Sequence, residues 1–191
     1  MHKYVILLFI TLLCFSCHKK KEVEKPKLYG HFQYDYEDII KKGFPNSAYK
    51  GVSILGDYSN ILDSQKQYGV SERKYISELT CPEFTEVSFQ AWIYPFDSIM
   101  DGVFVFSIID TSKNESKLWE GYEIDKQIHA PKNWFQVKGK ILVSLNDRNP
   151  GDQIHFYFWN RDTTAFLVDD LEVNLCGDFE TGNAFFYDLE N

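Results

Sequence analysis

Alternation with a period of two is the strongest signal in the chain. Along Val87–Tyr94, Val87, Phe89, Ala91 and Ile93 fall on one side of an extended backbone, while Ser88, Gln90, Trp92 and Tyr94 fall on the other. Ile154, Phe156 and Phe158 alternate in the same way with His155, Tyr157 and Trp159. Strands are predicted over Ala48–Leu55, Lys74–Leu79, Phe84–Tyr94, Gly102–Asp110, Leu118–Ile124, Trp134–Leu145, Gln153–Asn160 and Ala165–Leu175. Turn-rich pieces separate them, such as Gly43-Phe44-Pro45-Asn46-Ser47 and Asn146-Asp147-Arg148-Asn149-Pro150-Gly151-Asp152. A helical pattern is weak everywhere except Glu37–Lys42. Eight or nine short strands predict an all-β fold: a two-sheet antiparallel β-sandwich or jelly roll.

Composition sharpens this picture. Phe (16), Tyr (12) and Trp (4) make up 17% of the chain, a load that suits pleated core surfaces and equally suits a face that holds flat ligands. The two alternating segments divide these uses. Their aliphatic and Phe faces are core, and the opposite faces carry polar-tipped rings together with Gln and His. The net charge is -8, and the body has no basic cluster, which argues against a nucleic-acid partner because phosphate neutralisation needs clustered Lys and Arg.

The first 16 residues read as a signal peptide. Val5–Phe15 is almost unbroken apolar sequence, too short for the roughly 20 residues of a membrane-spanning helix. Cys14-Phe15-Ser16-Cys17 resembles the lipobox of bacterial lipoproteins, with Cys14 where Leu is usual. The resemblance implies lipidation at Cys17, and several acyl chains hold a protein to a membrane almost irreversibly. Plain secretion with nearby cleavage is the alternative. Residues 17–27 then form a charged tether, 28–176 the sandwich domain and 177–191 an acidic aromatic tail, with the protein lipid-anchored at the cell envelope, on the outer membrane.

The last third carries a second resemblance. Trp134-Phe135-Gln136-Val137, Gly151–Asn160 and Phe166–Val173 are similar to the galactose-binding-like jelly rolls, which include many carbohydrate-binding modules. Ala48–Ser53 resembles their early strand, and Tyr34-Asp35-Tyr36-Glu37 sits where they often carry a Phe-Glu pair. The resemblance implies a surface where rings stack on sugars. Gln90, Trp92, Tyr94, His155, Tyr157 and Trp159 would supply it if their two strands share a sheet; otherwise loops or the tail cover these rings as a second small core. Alternation places Leu167, Asp169, Leu171, Val173 and Leu175 on one face, which makes Asp169 a buried carboxylate that needs a partner. Related jelly rolls often hold structural calcium near this point, which implies Ca2+ ligands from Asp169 and from Glu37, Asp35 or Asp38. Backbone N–H groups are the alternative partners for Asp169.

Cys81 and Cys176 flank segments expected to pair antiparallel, so an exported chain could bridge them; two buried thiols are the alternative. No catalytic or phosphate-binding motif is present in the body, neither HExxH nor GxSxG nor a glycine-rich loop. The expected function is therefore a non-catalytic glycan-binding module displayed on the envelope. The alternative is a structural lipoprotein whose sandwich face docks a protein partner.

Overall fold

Apolar residues at every second position drive two sheets together face to face. The computed structural model describes residues 30–79 and 81–176 and contains ten strands. They are β1 (His31–Tyr34), β2 (Ala48–Lys50), β3 (Tyr58–Leu62), β4 (Glu72–Tyr75), β5 (Glu86–Pro95), β6 (Gly102–Asp110), β7 (Glu115–Glu123), β8 (Phe135–Leu142), β9 (Gln153–Asn160) and β10 (Phe166–Cys176). Sheet A runs β2-β3-β10-β5-β8, with β1 also on β10; sheet B runs β4-β9-β6-β7. All pairings are antiparallel. The expected all-β sandwich is the fold.

The inward faces match the alternation. Val87, Phe89, Ala91 and Ile93 of β5 are buried, as are Ile154, Phe156 and Phe158 of β9. Across the sandwich Phe89 stacks on Phe104 of β6, ring centroids 3.9 Å apart, and Tyr122 and Phe158 meet Phe89 edge-on. Gly139 makes room for this stack: a Cβ there would lie 2.4 Å from the Phe89 ring. Such offset and edge-on ring pairs add about 0.5–1.5 kcal/mol each beyond area burial.

Several boundaries differ from expectation, each for a local reason. The strand expected over Ala48–Leu55 ends at Lys50, because Gly51 turns into the left-handed region at φ +94°. Lys74–Leu79 is strand only to Tyr75, after which Ile76–Glu78 form a 3-10 turn. Glu37–Lys42 is a run of turns rather than a helix; Tyr36, just before it, has φ 60°. β1 and β3 are additional strands.

The alternation expected for β10 fails at one point. Its first residues, Phe166–Val168, pair with β3 on one edge, whereas Leu171–Asn174 pair with β1 on that same edge. Where the partner changes, the register with β5 slips between Asp169 and Glu172, and Asp170 takes φ 45°. This bulge reverses which residues face inward. Leu171, Val173 and Leu175 join the core, while Leu167 and Asp169 lie on the outer side with their partners Tyr94 and Trp92.

Candidate functional site

The six expected sugar-binding residues do not form one surface. Gln90, Trp92 and Tyr94 lie on β5 in sheet A; His155, Tyr157 and Trp159 lie on β9 in sheet B. Both strands turn their aliphatic faces to the shared core, so their outer faces point to opposite sides of the sandwich. The condition that the two strands share a sheet is not met.

On the outer face of sheet A the polar side chains serve one another. Gln90 Nε2 donates to Glu172 at 2.5 Å, His31 Nδ1 lies 2.6 Å from Asn174 Oδ1, and Lys140 pairs with Glu86 at 3.1 Å. Tyr94 packs among Trp134 and Phe96, and Phe96 in turn meets Tyr49. Trp92, opposite Asp169 and Gln136, is half-buried.

Asp169 is fully buried although it faces outward, because residues 51–58 lie over it. Its Oδ2 accepts from the backbone N–H of Ile54 (2.7 Å) and Leu55 (3.2 Å), and its Oδ1 from Asp170 (2.8 Å). Glu37 grips the same loop from the other end: Oε1 accepts from Asp57 (2.7 Å) and Tyr58 (2.8 Å). Gly56 lets that side chain through, since a Cβ there would sit 2.2 Å from the Glu37 carboxyl. Burial pushes the Asp169 carboxyl above its ordinary pKa, and the three N–H bonds oppose that rise. Tyr36 is buried beside it, and its ionisation is raised first by burial and then by Asp169 and Asp170. Among the described residues no three His, Cys, Asp or Glu side chains converge. Asp169 and Glu37, the pair implied as calcium ligands, each accept backbone N–H bonds that fasten this loop.

The outer face of sheet B is different. Across its strands one row reads Arg73, His155, Ser107, Trp119, and the next passes from Tyr157 through Val105 to Gly121; the third joins Trp159 to Val103 and Glu123. Tyr68 extends the third row through an isolated bridge to Trp159. The rings are in continuous contact. Tyr68 stacks on Trp159 (6.0 Å, 17°) and meets Tyr157 edge-on (5.8 Å); Trp119 meets Trp159 (6.4 Å), and His155 meets Tyr157 (4.7 Å). Tyr68 remains 57% exposed and Trp119 48%. Val103 and Val105 form a buried floor between them. Gly121 lets Trp119 lie flat, because a Cβ would stand 3.1 Å from its six-membered ring and 2.9 Å from Val103.

Beside the rings, Tyr68, Gly69, Ser71, Arg73, His155 and Tyr157 line a cleft of about 340 Å³. Burial, reinforced by the charge on Arg73, holds the His155 imidazole at a pKa of about 4, so it is neutral near pH 7. His155 Nε2 and Trp159 Nε1 are buried without a hydrogen-bond partner among the described residues. A salt-bridged corner of Arg161 with Asp101 and Glu123 closes the Trp159 end. Sequence reasoning found His155, Tyr157 and Trp159 but missed Tyr68, Arg73, Trp119 and Gly121. Those residues sit in a loop or on strands whose neighbours only the sheet order reveals.

Cys81 Sγ lies 2.8 Å from the Leu175 carbonyl, beside the end of β10; the Cys176 side chain lies outside the described residues, as do the signal, Cys17, the tether and the tail. Among the described residues no helix is long and apolar enough to cross a membrane.

No family model and no curated protein matches the chain. Solved structures do. A structure of the C-terminal family 22 carbohydrate-binding module of Clostridium thermocellum Xyn10B aligns at TM-score 0.53 and 9% identity, covering 80% of this chain and 98% of that one. The CBM22-1 xylan-binding domain of Paenibacillus barcinonensis Xyn10C gives TM-score 0.47 and 11% identity, covering 69% and 81%. At such identity the likeness is one of architecture: this chain has the two-sheet jelly-roll sandwich that carbohydrate-binding modules also adopt.

Proposed function

We propose that the chain is a non-catalytic glycan-binding module whose binding surface is the outer face of sheet B. The observation that carries the reading is the unbroken run of Tyr68, Trp159, Tyr157 and Trp119, exposed at Tyr68 and Trp119 and flanked by the cleft with Arg73. Pyranose rings present flat C–H faces that stack on such rings, at about 0.5–1.5 kcal/mol per aromatic contact beyond area burial. Three or four contacts with hydrogen bonds at the rim bring affinity into the millimolar to micromolar range, roughly -4 to -8 kcal/mol. That strength suits a tethered receptor that must also release its ligand. The family 22 carbohydrate-binding module named above supports a glycan as the ligand class, without identifying the sugar.

The same proposal places the module at the outer membrane through lipid on Cys17, with residues 18–27 as the spacer and a Cys81–Cys176 bridge closing the end of β10. The position of Cys81 against Leu175 supports the bridge. Labelling with an alkylating agent without reductant should leave both cysteines unmodified; two labelled thiols would exclude it. For the binding face, affinity electrophoresis against a panel of immobilised polysaccharides should show retardation that Trp159→Ala weakens. Retardation unchanged in that variant would place binding elsewhere.

A further inference from the structure

We infer that the cleft beside the aromatic run reads an acidic sugar, with Arg73 clasping the carboxylate of a uronate residue; this rests on the glycan-binding reading above. The chain has three arginines. Arg148 is spent inside the protein, donating to the Pro82 and Phe84 carbonyls and covering the Phe84 ring. Arg161 is held by Asp101 and Glu123. Arg73 alone has neither an ion pair nor a side-chain hydrogen bond among the described residues, and it stands exposed at the cleft. Its sequence neighbour Glu72 points to the other side of β4, where it accepts from Tyr34 Oη at 2.6 Å and pairs with Lys74 at 3.4 Å. In a chain of net charge -8, a guanidinium that meets no acid among the described residues is a cation left for something outside the protein.

The surroundings suit a carboxylate on a ring. A guanidinium offers two parallel N–H groups that match a planar carboxylate bidentately, which a lysine cannot do. Across the β4–β9 ladder Arg73 lies opposite His155. That imidazole is neutral near pH 7 and adds no second charge, so the preference is carried by one cation. Ser71, exposed at the cleft, adds a hydroxyl, and Tyr68 and Tyr157 offer ring faces at the same wall. In the proposed pose a sugar stacked on Tyr68 turns its C5 substituent to Arg73, at the same cleft: a carboxylate gains the fork, a hydroxymethyl or ester does not.

Calorimetric titration of the full chain tests this with three probes: an oligogalacturonate, the same oligomer fully methyl-esterified, and a sulfated glucan. The acid should bind at least tenfold more tightly than the ester at low salt, and the gap should narrow as salt is raised. Arg73→Gln should bring the acid down to the affinity of the ester, while Arg73→Lys should keep part of the preference. Arg73 makes no side-chain hydrogen bond or ion pair among the described residues, so these variants should keep the wild-type melting temperature. Equal binding of acid and ester, or a preference that survives Arg73→Gln, would overturn the assignment and leave the aromatic face standing. Sulfated glucan binding as tightly as the uronate would overturn the carboxylate specificity. Binding of no glycan by wild type, neutral or acidic, would remove both this inference and the reading beneath it.

Discussion

The outer faces of the two sheets begin from the same sequence rule and end with opposite uses. β5 and β9 each alternate core residues with polar-tipped rings. On sheet A those outward residues find partners within the protein: Gln90 with Glu172, Tyr94 with Trp134, Asp169 with three backbone N–H groups. On sheet B, Tyr68 and Trp119 stay exposed, and Arg73 meets no acid among the described residues. The difference lies in what the chain lays over each sheet. Residues 51–58 are fastened over Asp169 on sheet A by that carboxylate and Glu37, whereas on sheet B, among the described residues, rings lie beside the buried Val103 and Val105. An amphipathic strand face thus stays open where no described segment is fastened over it.

The contrast breaks most visibly at Asp169. Replacing it by Ala leaves the Ile54, Leu55 and Asp170 N–H groups without their acceptor, and should lower stability by about 3 kcal/mol in urea unfolding. Asp169→Asn keeps one acceptor oxygen and should lose less. Neither variant should alter glycan affinity while folded, because the change is on the far side of the sandwich. Excess chelator should leave the melting temperature of wild type where it was; a clear fall would mean that a cation, rather than N–H donors, holds these carboxylates.

Trp159 and Trp119 test the other face. Alanine at either should weaken glycan binding by about 1–2 kcal/mol, roughly five- to thirtyfold. Trp92→Ala, on sheet A, should leave affinity unchanged in the same titration. Equal losses from Trp92 and Trp159 would dissolve the distinction between the faces.

How much of this contrast the amino-acid order contains depends on the range of the interaction that decides it. Inward faces of β5 and β9 are legible because alternation is local, and turn residues such as Gly51 mark the breaks. β3 is harder to see, because its buried Ser59 and Asn60 look like loop residues; Asn60 is accommodated by bonds to Ser47 and Val70, contacts that exist only once the strands assemble. The bulge at Asp169 is invisible for the same reason, since it arises where β10 exchanges β3 for β1 along one edge. Above all, nothing in two similar segments says which sheet each will join. Sheet membership follows from strand order across the whole chain, and it separated Trp92 from Trp159 and brought in Tyr68, Arg73 and Trp119.

His155 supplies a smaller handle on sheet B, moderated by solvent at a half-buried ring. Its folded pKa of about 4 lies below the ordinary 6.5, so protonation favours the unfolded chain. The stability it contributes is complete above pH 6.5 and is lost as pH falls through about 4. His155→Gln should flatten that part of the stability profile, compared with wild type by urea midpoints at successive pH values. An identical slope in both proteins would show that the ring titrates as it would in water.

Gly121 gives the finest separation of fold from plate. Its missing Cβ leaves room for both Trp119 and Val103, and Gly121→Ala would press a methyl group to within 3.1 Å of that indole and 2.9 Å of the Val103 side chain. Trp119 is 48% exposed, so it can tilt outward at little cost to stability. The ring would then leave the line that Trp159 and Tyr68 define, removing part of one stacking contact, about 0.5 kcal/mol, or a twofold to threefold loss of affinity. Titration beside a melting curve would distinguish the outcomes. Weaker binding at an unchanged melting temperature fits a plate whose flatness matters, whereas a falling melting temperature with intact affinity would assign Gly121 to packing and Trp119 to the rim.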